Sequence, residues 1–110
     1  MLIAASVAAL VLTGCGGTTV RRSIAAATVD GGPWFDPRVI TVDKGEEVVL
    51  NVDNTTSRLH GFTIEGYGIR QEVRPGFPKE LTFVARKGGT FKVYCQLHPD
   101  THKPATLVVQ

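Results

Sequence analysis

From residue 38 onward the chain is built of short runs in which apolar and polar positions alternate. In the run 48–54, Val48, Leu50 and Val52 fall on one side. Leu81 and Phe83 do the same within 79–85, and Phe91, Val93 and Cys95 within 90–95. A period of two is that of a strand with one buried face. The runs 38–43 and 105–110 are rich in β-branched residues, and 59–64 is a further strand candidate. Between them "KGEE" and "KGG" read as turns. Residues 23–29 make a weaker first strand because of their alanines, and 30–37, with two Gly and two Pro, read as a turn. No helical period occurs outside the N-terminal segment. Many short strands with Gly and Pro between them predict an all-β sandwich or barrel, with no internal repeat and no second domain.

The N-terminal segment has a different pattern. Residues 2–12 are apolar and uncharged. The run is too short to span a bilayer and has the length of a signal-peptide core. It ends in Leu12-Thr13-Gly14-Cys15, which resembles the lipobox of bacterial lipoproteins. That resemblance implies cleavage before Cys15 and lipidation of Cys15. No Lys or Arg precedes the run, a departure from the signal-peptide pattern. The competing reading is a short helix with an incidental cysteine. The expected organisation is a signal peptide over 1–14, a lipidated tether with a possible first strand over 15–33, and one folded domain over 34–110. The expected location is the periplasmic or extracytoplasmic face of a bacterial membrane.

Composition narrows the class. The chain has 110 residues, 43% hydrophobic and 20% charged, which suits one small globular domain rather than a disordered segment. A net charge of +2 with no basic run gives no footprint for nucleic acid. There are 2 Cys. If Cys15 carries lipid, Cys95 is a lone thiol in an oxidising compartment. It is then reactive, paired with another chain or bound to metal. A Cys15–Cys95 disulfide is the alternative, and it requires the leader to be retained.

The run "YCQLHPDTHKP" holds Cys95 together with two of the 3 His, His98 and His102. The third, His60, lies upstream at the start of a candidate strand. Cys-x-x-His puts a thiolate and an imidazole in one tight turn. Thiolate suits copper(I), and imidazole suits both copper states, so two imidazoles and one thiolate can hold the ion through a one-electron change. A zinc site of one Cys and three His is also possible, although paired Cys-x-x-Cys knuckles are absent. So is a Cys95–His98 nucleophile pair, which lacks a recognisable nucleophile turn. Taken singly, His60 reads as structural, His102 as a solvated loop residue and Cys95 as a small buried hydrophobe. The joint spacing is what sets them apart.

Three stretches in order resemble the cupredoxins: "FDPRVITVDKGEEVVLNVDN", "LHGFTIEGYGI" and "VRPGFPKELTFVARKGGTFKVYCQLHP". The second is most similar to the first-histidine segment of the copper domains of cytochrome c oxidase subunit II and nitrous oxide reductase, and the third resembles the next strands and the ligand loop of the family. The resemblance covers residues 34–110. It implies a Greek-key β-sandwich holding copper, with His60, Cys95 and His98 as ligands. Binuclear relatives need two loop cysteines and this loop has only Cys95, so one copper ion is expected, cycling between copper(I) and copper(II). The usual axial methionine is missing, since the single Met is Met1. A second loop histidine is similar to the ligand loop of nitrosocyanins, which also use a carboxylate. His102 is therefore the expected fourth ligand, and spacing alone does not select Asp100, Glu65 or Glu72 as such a carboxylate.

The resemblance implies one-electron transfer rather than catalysis, with a redox protein at the membrane surface as partner. The rival is a copper carrier or sequestration protein serving an oxidase-type copper site. Small-molecule chemistry at an open copper position is a third class, and a metal-free interaction domain a fourth.

Overall fold

The computed structural model describes residues 18–110, and these residues fold as nine strands without a helix. The apolar leader and Cys15 lie outside the described residues. The strands are β1 (Thr19–Val29), β2 (Gly32–Asp36), β3 (Val39–Val42), β4 (Glu47–Asn54), β5 (His60–Ile64), β6 (Ile69–Val73), β7 (Lys79–Val84), β8 (Gly89–Tyr94) and β9 (Ala105–Val109). They form two sheets, ordered β2-β1-β4-β7 and β3-β9-β8-β5-β6. The chain changes sheet between β2 and β3, β3 and β4, β4 and β5, β6 and β7, and β7 and β8. That interleaving makes a Greek-key sandwich, as expected.

Alternating positions from both sheets fill the space between them. Ile24, Leu50 and Val52 come from the first sheet, and Ile64, Val93 and Leu107 from the second, all buried. Phe35 of β2 meets Phe62 of β5 edge to face at 5.7 Å, joining the sheets near the end where the site lies. Each such side chain contributes about 1.5–3 kcal/mol of burial free energy.

Two strands depart from the sequence expectation, and both lie at sheet edges. Residues 30–37, read as a turn, contain β2. Asp30 and Gly31 both have positive φ, 50° and 79°. Val29 pairs with Gly32 across them, so the turn is a two-residue hairpin. Asp-Gly is the signal for such a hairpin. Pro33 is tolerated because β2 is an outer strand. The other is β6, with too few apolar positions to show a period. Its inward residues are Ile69, Gln71 and Val73.

Residues 19–22, read as tether, are part of the sandwich. β1 runs parallel to β4 from Thr19↔Glu47 to Ala26↔Asn54. The continuous ladder, together with burial of Ile24 and Ala26, overrides the weak local propensity. The folded unit thus begins well before residue 34.

Candidate metal centre

The start of β5, the end of β8 and the connection from β8 to β9 meet at one end of the sandwich. His60 opens β5, a strand buried along its whole length, and pairs with Val73 of β6. The loop before it is organised by Asn54, itself 2% exposed. Asn54 Nδ2 donates to the carbonyls of Arg58 (2.7 Å) and Val73 (2.8 Å). Its Oδ1 accepts from the Thr56 amide at 2.9 Å and the Thr56 hydroxyl at 2.7 Å. Every polar atom of this buried amide is satisfied, which makes it a rigid support for the chain entering His60.

Cys95 follows the last residue of β8 and is fully buried. The loop after it is two turns in series. The His98 amide donates to the Cys95 carbonyl at 3.2 Å, and the His102 amide to the His98 carbonyl at 3.0 Å. The Cys-x-x-His and His-x-x-x-His spacings therefore match a three-residue and a four-residue backbone closure. Both closures fold the loop back over the sheet end.

The geometry unites three of the residues singled out from the sequence. One donor atom each from His60, Cys95 and His98 lie within 4.8 Å of one another. Cys95 Sγ is 3.8 Å from His60 Nδ1 and 3.5 Å from His98 Nδ1. Donors sharing one ion at about 2.0 Å for nitrogen and about 2.3 Å for sulfur stand at such separations. A soft thiolate with two imidazoles is the donor set of a copper centre, and the spacing fits one ion.

His102 adjoins this trio without joining it. Its Nδ1 lies 3.1 Å from His60 Nδ1. Its ring packs on Phe35, with centroids 4.2 Å apart. It is buried, and its Nε2 has no hydrogen-bond partner. The solvated-loop reading of His102 is therefore wrong. Asp100, Glu65 and Glu72 are exposed, and among the described residues no carboxylate enters the cluster.

The electrostatics favour neutral imidazoles. Burial, then His98, then Arg58 lower the His60 pKa below its ordinary value. Burial, reinforced by His60, takes His102 from 6.5 to about 4. The Trp34 backbone pulls weakly the other way, without closing a hydrogen bond on Nε2. Neutral imidazole is the form that ligates metal.

Three supporting residues were not read from the sequence. The Gly61 amide donates to Cys95 Sγ at 3.1 Å. Gln96 lies across Gly61, where a Cβ would collide with its side-chain amide. Gln96 accepts from the Thr63 hydroxyl and donates to the Gln71 carbonyl, both at 2.7 Å. It thus straps the ligand loop across β5 to β6. Asn54 is the third. A glycine inside an apolar strand is a signal of close approach and points to Gly61. Nothing local points to Asn54 or Gln96.

This arrangement, a two-sheet Greek-key sandwich with a buried cysteine between histidines at one end, defines a cupredoxin-type copper domain. The chain belongs to the family described as the cupredoxin-like domain, which matches residues 2–109. It is 35% identical over 77 residues to a nitrous-oxide reductase of Cupriavidus necator, covering 67% of this chain and 12% of that protein. It is 30% identical over 61 residues to cytochrome c oxidase subunit 2 of Thermus thermophilus, covering 56% of this chain and 44% of that protein. The chain thus spans a small part of the reductase it matches and less than half of the oxidase subunit. Among solved structures, a purple cupredoxin from Nitrosopumilus maritimus superposes with a TM-score of 0.60 at 18% identity, over 81% of this chain and 99% of that one. A copper nitrite reductase from Nitrosomonas europaea gives 0.68 at 18% identity, over 84% and 42%. At these identities the superpositions speak to the fold.

Proposed function

We propose that this domain is a mononuclear copper protein that transfers single electrons, held at the extracytoplasmic face of a membrane by a lipid on Cys15. The observation that carries the reading is the convergence of His60, Cys95 and His98 donors within 4.8 Å. Bound copper would supply a one-electron couple between copper(I) and copper(II). The protein supplies a rigid seat for the ion, with His60 and Cys95 buried. His60 enters from a buried strand, Cys95 receives the Gly61 N–H, and the strap of Gln96 holds the loop, so the donors move little when the charge changes. Half-buried His98 is the ligand nearest solvent and the natural exit for an electron toward a redox partner at the membrane surface. His102 is the fourth donor in this reading, because its Nδ1 faces that of His60.

The test is metal analysis of purified protein with an absorption spectrum and reversible oxidation and reduction. One copper per chain, lost in Cys95→Ser, is the expected result. A Cys95→Ser protein that keeps stoichiometric copper would sink the ligand assignment. Mass spectrometry of the membrane fraction tests the anchor, which requires a diacyl-modified Cys15 at the new N-terminus.

The same His98 exposure favours a second reading, a carrier that hands copper to an oxidase-type site. Ligand exchange with a partner needs a reachable donor, and His98 is one. Transfer of the metal to an apo acceptor, without stable redox cycling, distinguishes the carrier from the electron-transfer protein.

A further inference from the structure

Beside the metal centre a cavity of about 210 Å³ opens between the end of β1, the β1–β2 turn, the β4–β5 loop and the ligand loop. His60 and His98 form part of its wall, together with Arg58 and the hydroxyl residues Thr28, Ser57 and Thr101. No carboxylate lines it. Among the described residues Arg58 makes no ion pair, the only such pair being Arg21–Glu80. The exposed hydroxyls of Thr28, Ser57 and Thr101 make no hydrogen bond to another described residue either. The backbone of Arg58 is held, since its carbonyl accepts from Asn54 and its amide donates to the Thr56 hydroxyl at 3.2 Å, and its side chain is exposed at the mouth of the cavity. A cation without a partner, three unengaged donors and no competing acid are the chemistry of an anion site.

We infer that this cavity binds a small inorganic monoanion, held by Arg58 and the surrounding hydroxyls against the metal at His60 and His98. The inference rests on the copper reading above. A chamber of this size has room for a small inorganic ion together with its waters. An anion seated there adds negative charge next to the ion, so it stabilises copper(II) over copper(I) and lowers the reduction potential. The ligand thus makes the potential of the centre respond to anion concentration.

Azide is the probe. Copper content is measured first, on the full chain. The copper-loaded protein is then titrated with azide by calorimetry and by absorption, and its potential is measured with and without azide. One saturable site per chain, a spectral change and a lower potential are expected. Arg58→Ala should keep its copper and its azide-free spectrum while binding azide about tenfold more weakly. Thr101→Val should weaken azide by a smaller factor at unchanged copper content. A copper-replete protein that shows no saturable azide binding, or an Arg58→Ala variant of unchanged affinity, overturns the anion site and leaves the copper reading standing. A chain that retains no copper overturns both.

Discussion

The Nδ1 atoms of His60 and His102 lie 3.1 Å apart, with the two rings close to perpendicular at 89°. Two neutral imidazoles at that distance either share one proton or turn two lone pairs toward a common cation. His102 has no other polar partner for its ring. A ring so placed acts on the ion through His60 at least, and as a donor itself if the lone pairs converge. His102→Ala should therefore shift the absorption of the copper form toward intense blue and raise the reduction potential, with copper still bound by the remaining three residues. A spectrum and potential unchanged in this variant would reduce His102 to a packing residue on Phe35.

Protonation provides a second handle on the same pair. The folded protein holds His102 at about 4, against 6.5 for the free side chain, chiefly through burial. His60 shifts in the same direction, again first through burial. The unfolded chain therefore takes up protons before the folded one does. Stability of the metal-free protein should be complete above about pH 6.5 and should fall as the pH drops toward 4, then level off. For His102 the interval between 6.5 and about 4 corresponds to about 3 kcal/mol at most. Urea unfolding midpoints across this range measure it, and His102→Ala should flatten much of the slope. A midpoint independent of pH between 7 and 4 would contradict the burial seen here.

The parts of this architecture that could be read from the sequence are those whose cause is local. The strands β4 and β8 show their buried faces as alternating apolar residues, because each has neighbours on both sides. The edge strands β2 and β6 lack that pattern. Pro33 disguises the first, and in the second the polar Gln71 stands between the two apolar inward residues, Ile69 and Val73. Cys95 and His98 stand out because one turn sets their spacing. The role of Asn54 is invisible because its partners include Val73, nineteen residues away. Gln96 reaches Gln71 twenty-five residues back, across a strand that only the folded topology places between them. The anchoring segment and Cys15 lie outside the described residues, so that expectation stands on the sequence pattern alone.

Asn54 should prove one of the costliest polar residues to replace. Asn54→Ala leaves the Val73 carbonyl and the Thr56 amide short of a partner, while the Arg58 carbonyl keeps the Thr56 hydroxyl at 3.1 Å. Each buried group left unpaired costs about 1–3 kcal/mol, and water reaching the loop recovers part of it. A loss of about 3 kcal/mol is expected, measured by denaturant unfolding. Asn54→Asp keeps the acceptor toward Thr56 but turns an oxygen toward two carbonyls, so it should destabilise at least as much near neutral pH. Both variants should also loosen the metal, because the chain enters His60 through this loop. If Asn54→Asp were silent, the two donated hydrogen bonds would not be holding the loop.

Gly61 and Gln96 should behave as one unit. Gly61 is not among the positive-φ glycines, so alanine fits its backbone, and the obstacle is the side chain of Gln96. Gly61→Ala should displace Gln96 from Thr63 and Gln71 and strain the approach of the Gly61 amide to Cys95 Sγ, at a cost of about 1–3 kcal/mol. Gln96→Ala removes the same two hydrogen bonds without the collision and should cost about 1–2 kcal/mol. Once Gln96 is gone the added methyl has space, so the double variant should be no worse than Gly61→Ala alone. The coupling between the two positions is then favourable by about 1 kcal/mol or more. Spectra of the copper forms separate this from simple destabilisation. Gly61→Ala should perturb the thiolate absorption through its N–H bond to Sγ, and the double variant should restore most of the original band. Strictly additive stabilities, with identical spectra in all four proteins, would mean that the loop holds the thiolate without this strap.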